Sequence, residues 1–184
     1  ERRLRKELDI PVIHDDQHGT AVVVLAALLN AARATGRELA QAHVVIVGAG
    51  AGGATTARLL HAHGVGRLSL ADHRGALGAG REDLAPVKLA LAEELGLDDD
   101  GSVGERLRGA DAVIGLSAPG AFSRQDVAAM ADDPIVLALA NPEPELDPGR
   151  AARDRRGGGR HRPLGPSKPG QQCARVSRAL PWSA

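Results

Sequence analysis

The run Val44-Val45-Ile46-Val47-Gly48-Ala49-Gly50-Ala51-Gly52-Gly53 constrains the fold of this chain more than any other stretch. Its β-branched residues predict a strand, because they pack well on a pleated surface and are stiff at χ1. The glycines break that strand, and Ala54-Thr55-Thr56-Ala57-Arg58-Leu59-Leu60 reads as a helix. Gly48, Gly50 and Gly53 stand at the G-x-G-x-x-G spacing, and Asp72 lies 24 residues beyond Gly48 at the end of a second strand pattern. Strand, glycine turn, helix and distal acid together describe a dinucleotide site. Gly48 permits the tight turn, Gly50 leaves room for a pyrophosphate, and Gly53 lets the helix approach the sheet. Unpaired N–H groups near Ala51 face the anion. Gly48, Ala49, Gly50, Ala51, Gly52, Gly53 and Asp72 are therefore candidate cofactor contacts. The plainer reading is a glycine-rich turn in some other α/β protein.

The pattern then alternates. Strands are expected over residues 43–47, 67–71, 112–116 and 135–140, and helices over 51–63, 82–95, 103–108 and 124–131. Upstream, residues 1–9 read as the end of a helix, 10–13 as extended, 14–20 as a polar loop and 21–35 as a helix stopped by Gly36. Such alternation predicts an α/β fold, a Rossmann-like doubly wound parallel sheet, here expected to be incomplete at both ends. Ligands bind such sheets at the carboxyl ends of the strands. Gly48, Asp72, Ser117 and Asn141 all fall there, so four segments are expected to converge on one rim.

Several residues carry two readings. Asp15-Asp16 just before a helix compensates its dipole, or supplies a hard-cation ligand and an acid/base carboxylate. His14 and His18 flank the pair but lack the spacing of a zinc motif. Asp72 is placed to accept the adenosine ribose hydroxyls, which favours NAD; His73 and Arg74 could meet a 2′-phosphate, which favours NADP. Ser117 and Ala118 end a strand as turn residues or as cofactor contacts. Asn141 before Pro142 is either turn chemistry or an amide that bonds both a carboxylate and the nicotinamide end of a cofactor.

Composition narrows the setting. A single Cys rules out a disulfide framework and suits a reducing, cytoplasmic compartment. The longest apolar stretch, residues 21–29, is too short to span a membrane, and no signal peptide is evident. The chain starts at Glu1 and its one Met is Met130, so a piece of a longer protein is expected. Net charge is zero, but residues 1–148 hold 14 basic and 22 acidic side chains while 149–184 hold 9 basic and 1 acidic.

Ile10-Pro11-Val12-Ile13-His14-Asp15-Asp16-Gln17-His18-Gly19-Thr20-Ala21 resembles the junction motif of bacterial malic enzymes. So do the Gly48–Gly53 turn, Gly80-Arg81-Glu82-Asp83-Leu84, Gly115-Leu116-Ser117-Ala118-Pro119-Gly120 and Ala138-Leu139-Ala140-Asn141-Pro142, in the right order. The resemblance implies oxidation of malate with NAD or NADP and decarboxylation to pyruvate and CO2, with Mg²⁺ or Mn²⁺ as Lewis acid. It implies Asp16 as one metal ligand, Asp15 beside it near the proton transfer as a catalytic residue, and Asn141 against substrate and nicotinamide. It implies a homo-oligomer in the intact enzyme, with no nucleic-acid or membrane partner. The family's catalytic Tyr and Lys and its other acidic ligands would lie upstream of Glu1, and this chain has no Tyr. Alone, it is expected to be inactive. The domains expected are 1–19, the end of an upstream domain and a junction; 20–148, the NAD(P)-binding domain; and 149–184, a basic tail. The alternatives are another Rossmann dehydrogenase, such as an amino-acid dehydrogenase, or a non-catalytic NAD(P)-binding remnant.

After Pro148 the resemblance stops. Residues 161–182, back-translated with permitted codons and read one base later, can encode Thr-Gly-Arg-Ser-Asp-Leu-Pro-Asn-Gln-Val-Asn-Asn-Val-Leu-Ala-Phe-Pro-Gly-Leu-Phe-Arg-Gly, close to the segment the family would have there. A shifted reading frame is therefore expected to account for the basic, disordered-looking tail. The bland alternative is a genuine basic tail.

Overall fold

The computed structural model describes residues 1–146. The tail at 149–184, with its shifted-frame reading, lies outside the described residues. Five strands form one sheet: β1 (His43–Val47), β2 (Arg67–Asp72), β3 (Gly75–Ala76), β4 (Ala112–Gly115) and β5 (Ile135–Ala138). Their order is β3-β2-β1-β4-β5, with all pairs parallel except β2 with β3. The helices are α1 (Arg2–Glu7), α2 (Asp15–Thr35), α3 (Ala51–His63), α4 (Pro86–Leu95), α5 (Val103–Leu107) and α6 (Arg124–Ala128). This is the expected α/β, Rossmann-like parallel sheet. The chain runs outward from β1 to β2, then returns across β1 to β4. A crevice opens where the direction of winding reverses.

Successive strand residues point to opposite faces, and both faces are covered. Val44 and Ile46 join Leu70, Ile114 and Leu137 in a core closed by α2, α3 and α4. Val45 and Val47 join Val113, Leu107, Phe122 and Met130 in a second core under α5 and α6. That is why the β1 sequence is a continuous apolar run rather than an alternating one. α2 has the length and mean hydropathy, 1.2, of a membrane span. Its Val24, Leu28, Ala31 and Ala32 are buried in the first of these cores, while its Val22 and Val23 are exposed.

Element boundaries differ from the sequence expectation in instructive places. Residues 15–20 are not a loop: α2 begins at Asp15, with the N–H groups of Gln17 and His18 both donating to His14 O. Asp15 and Asp16 sit in its first turn, where their charge opposes the positive end of the helix dipole. α4 begins at Pro86, not at residue 82. Proline holds its predecessor extended (Ala85 has φ −61° and ψ 146°) and suits the first helical position, where no N–H is needed. β2 reaches Asp72, and the turn after it contains the two-residue antiparallel edge strand β3. β4 and β5 stop at Gly115 and Ala138, and α6 stops at Ala128.

Candidate functional site

The carboxyl ends of the strands form a level rim. Gly48 N–H donates to Ala71 O at 2.8 Å, Leu116 N–H to Val47 O at 2.8 Å, and Leu139 N–H to Gly115 O at 3.1 Å. Between the ends of β1 and β4 lies a crevice of about 270 Å3. The first turn of α3, the rim residues Ser117 and Asn141, and Asp16 of α2 all line it. A second concavity of about 280 Å3 sits near the amino end of β1, between Arg33, Leu39 and His63, and holds none of the motif residues.

The glycines of the turn do different work. Gly48 has φ +124°, and a Cβ there would stand 2.3 Å from Leu116 O. At Gly53 a Cβ would stand 1.7 Å from Gly48 O, so the start of α3 can lie this close to the strand end only without a side chain. At Gly50 a Cβ would meet nothing within 4 Å. Gly50 lines the crevice, so the space beside it is open to the crevice rather than filled by packing. A cradle that a Cβ would fill, at the positive end of a helix, fits a pyrophosphate.

The structure brings Asp16, Gly50, Ala51, Gly52, Gly53, Ser117 and Asn141 to one crevice. It separates others. Gly48 lies beneath the turn, and Ala49 packs against the core. Asp15 is turned away: its Oδ1 lies 2.0 Å from where a Cβ on Gly19 would stand, back along the helix. Ala118 is exposed outside the crevice lining, with its carbonyl accepting from Ala121 N–H at 3.2 Å. His73 and Arg74 are exposed on the turn after β2.

Asp72 is 7% exposed and tightly partnered. Arg81 Nη1 donates to its Oδ1 at 3.0 Å and Arg74 N–H at 2.9 Å, and Lys88 Nζ reaches Oδ2. Burial alone would raise its pKa, but the bonds from Arg81, Lys88 and the Arg74 backbone outweigh that and hold it well below the ordinary value. Arg81 and Arg74 also grip Asp83, whose pKa falls to about 2. Around the β2 end stand three cations and two carboxylates. None of Arg81, Asp83 or Lys88 was a sequence candidate; the signal was their position in the stretch that follows the β2 acid.

A second buried carboxylate was also unforeseen. Glu145 is 2% exposed. Its Oε1 accepts from Ser117 N–H at 2.8 Å and its Oε2 from Ala140 N–H at 3.1 Å. In sequence it is one more acid in the loop Asn141-Pro142-Glu143-Pro144-Glu145, and nothing local marks it for burial.

Among the described residues no three His, Cys, Asp or Glu side chains are gathered as a metal site. Asp16 offers one carboxylate at the crevice, which alone does not fit a hard cation that takes about six oxygens or more.

Residues 17–151 match the family model for "Malic enzyme, NAD binding domain". The NAD-dependent malic enzyme of Geobacillus stearothermophilus is 46% identical over 149 residues, covering 80% of this chain and 31% of that protein. The NADP-dependent malic enzyme of Halomonas elongata is 40% identical over 157 residues, covering 84% of this chain and 36% of that protein. The crystal structure of the NAD-dependent malic enzyme of Thermotoga maritima shares the fold with a TM-score of 0.73 at 36% identity, covering 83% of this chain and 41% of that one. The chain therefore spans between about a fifth and about a third of the length of the curated relatives it matches.

Proposed function

This chain belongs to the malic enzyme family and carries its NAD-binding domain, and on that premise we propose that it holds NAD or NADP in the rim crevice for the oxidative decarboxylation of malate to pyruvate and CO2 by the whole protein. The observation that carries this reading is the crevice at the strand ends, which Gly50, with open space at its Cβ position, lines together with Ser117 and Asn141. The Gly50–Gly53 turn and the N-terminus of α3 bind the pyrophosphate. Asp72 and its cations lie on the adenosine side, Ser117 and Asn141 on the nicotinamide side. Held there, the cofactor would supply the hydride acceptor for oxidation of the substrate carbon. Asn141 orients both the nicotinamide ring and a substrate carboxylate through its amide.

Both dinucleotides suit the β2 end. A ribose hydroxyl can donate to Asp72, and a 2′-phosphate can take Arg81 and Lys88. His73 and Arg74 line the approach to it from the exposed turn. Ala49 and Ala118 contribute backbone to the two cofactor loops. The divalent metal belongs to the whole enzyme: Asp16 is the ligand this chain supplies, with Asp15 next to it in sequence near the proton transfer. Residues 1–19 end an upstream domain and 20–148 form the nucleotide-binding unit. A cytoplasmic homo-oligomer is the expected setting of the intact enzyme. The family membership disfavours an amino-acid dehydrogenase.

Titration of the purified chain with NAD⁺ and NADP⁺ by calorimetry tests this. Binding of at least one of them, without malate-dependent reduction by this chain alone, is the expected result. The chain has no Tyr and no three-ligand metal cluster among its described residues. Absence of any dinucleotide binding, or turnover by this chain, would overturn the respective part.

A further inference from the structure

We propose that Glu145 is a positioning residue for the nicotinamide side of the crevice. Its carboxylate fixes the chain just past β4 to the chain just past β5, and so sets where Ser117 and Asn141 stand. This rests on the reading of the crevice as a dinucleotide site.

A carboxylate is rarely buried, because removing it from water is costly unless donors replace the lost hydration. Glu145 meets that demand with two backbone N–H groups on two different rim segments: Ser117 N–H on one oxygen, Ala140 N–H on the other. Ser117 and Ala140 each lie two residues beyond the last paired residues of their strands, Gly115 and Ala138. The backbone of Glu145 adds a third tie, accepting from Gly120 N–H at 2.9 Å. Bonds from an ionised acceptor are short and strong, and two of them fix relative position as well as distance. The donors are Ser117 itself and Ala140, the residue before Asn141, and all three line the crevice together with Gly50.

The space for this carboxylate is built into β4. A Cβ at Gly115 would stand 2.4 Å from the carboxylate carbon of Glu145 and within 2.7 Å of both its oxygens. No other residue at 115 leaves the carboxylate where it is. Gly115 and Glu145 form one device: a strand position emptied of its side chain, and an acid that occupies the vacated place. Asp72 lies on the other side of β1, so a dinucleotide with its pyrophosphate on α3 sends its adenosine toward β2 and its nicotinamide toward β4 and β5. Glu145 acts on the second half alone.

The test compares two ligands on the full chain: the preferred dinucleotide of the pair NAD⁺ and NADP⁺, and the matching ADP-ribose or its 2′-phosphate, which lacks only the nicotinamide. Glu145→Gln keeps the shape but presents an NH2 to one of the two N–H donors. The expected result is that it weakens the dinucleotide about tenfold and leaves the ADP-ribose ligand within about twofold. Gly115→Ala, which displaces the same carboxylate from the other side, should give the same split. Equal weakening of both ligands in both variants would make Glu145 a support of the fold only and overturn the proposal. Unchanged affinities for both would overturn it as well. A parent chain that binds ADP-ribose as tightly as the dinucleotide draws nothing from this rim, which also overturns it. A parent chain that binds neither ligand removes the reading of the crevice, and this inference with it.

Discussion

On the β2 side of β1 the rim ends in a buried carboxylate surrounded by cations; on the β4 and β5 side it ends in one surrounded by backbone amides. Asp72 is held by Arg81, Lys88 and one N–H, all within 16 residues of it. Glu145 is held by Ser117 N–H from 28 residues away and by Ala140 N–H from 5. The first arrangement is an ion-pair cluster. Its partners are side chains that can turn toward an incoming ligand, and its strength depends on charge. The second is a staple between backbones. It offers a ligand little directly and instead fixes geometry. One fold has met the cost of burying a carboxylate twice, once with charges that remain available for binding and once with amides that do not.

The largest expected effect comes from the element both sides share. Gly53→Ala puts a Cβ 1.7 Å from Gly48 O, and backbone must move to admit it. A loss of about 3 kcal/mol or more in urea unfolding is expected, with loss of both dinucleotide and ADP-ribose binding. A variant that unfolds like the parent would show that the turn is not the common support of the two sides.

Asp72→Asn is next, at about 1–3 kcal/mol near neutral pH, since it leaves Arg81 and Lys88 without their buried acceptor charge. The pH dependence has a definite sign. The pKa of Asp72 is lower in the folded chain than its ordinary 3.8, so its stabilisation is complete above that value and is lost as pH falls through the folded pKa. The gap between parent and variant should stay level from pH 7 to about 5, begin to shrink below about pH 4 and go on shrinking toward the folded pKa. A gap of the same size at pH 3 would remove ionic pairing as the principle of the β2 side.

The smallest effect is expected from Arg74→Gln. Its guanidinium pairs with Asp83 at 2.8 Å in an exposed setting, and Arg81 holds Asp83 as well. Stability should change by less than about 0.5 kcal/mol. A larger loss would mean that the cluster acts as one cooperative unit rather than as a set of pairs.

What could be read from the sequence follows the same division between near and far. β1 and α3 fall where the pattern places them, because a β-branched run and a glycine turn are local signals with local causes. The start of α2 was misread because Asp15-Asp16-Gln17-His18-Gly19-Thr20 is polar and contains a glycine; as a first turn it is stabilised by charge against the helix dipole rather than by apolar periodicity. The start of α4 was legible in Pro86 but was overridden by the acids before it. β3 could not be read: two residues, Gly75 and Ala76, become a strand only because Ala71 and Asp72 lie opposite them. Asp15 and Asp16 looked alike as neighbours, yet adjacent helical residues point in different directions, and only Asp16 reaches the crevice. Glu145 was hidden for the most basic reason. One of its two donors, Ser117 N–H, comes from a segment 28 residues away that nothing in its own neighbourhood specifies.

The fit between Gly115 and Glu145 has a consequence for how this lineage can change over time. The two positions lie on different strands' segments but occupy one volume, so neither can drift alone. A methyl group gained at 115 expels the acid, and a lost acid leaves a void beside a bare strand, so each substitution is deleterious in the other's original background. Among descendants of such a sequence the pair should be inherited together or exchanged together, whereas Arg74, whose ion pair is shared with a neighbour, is free to wander.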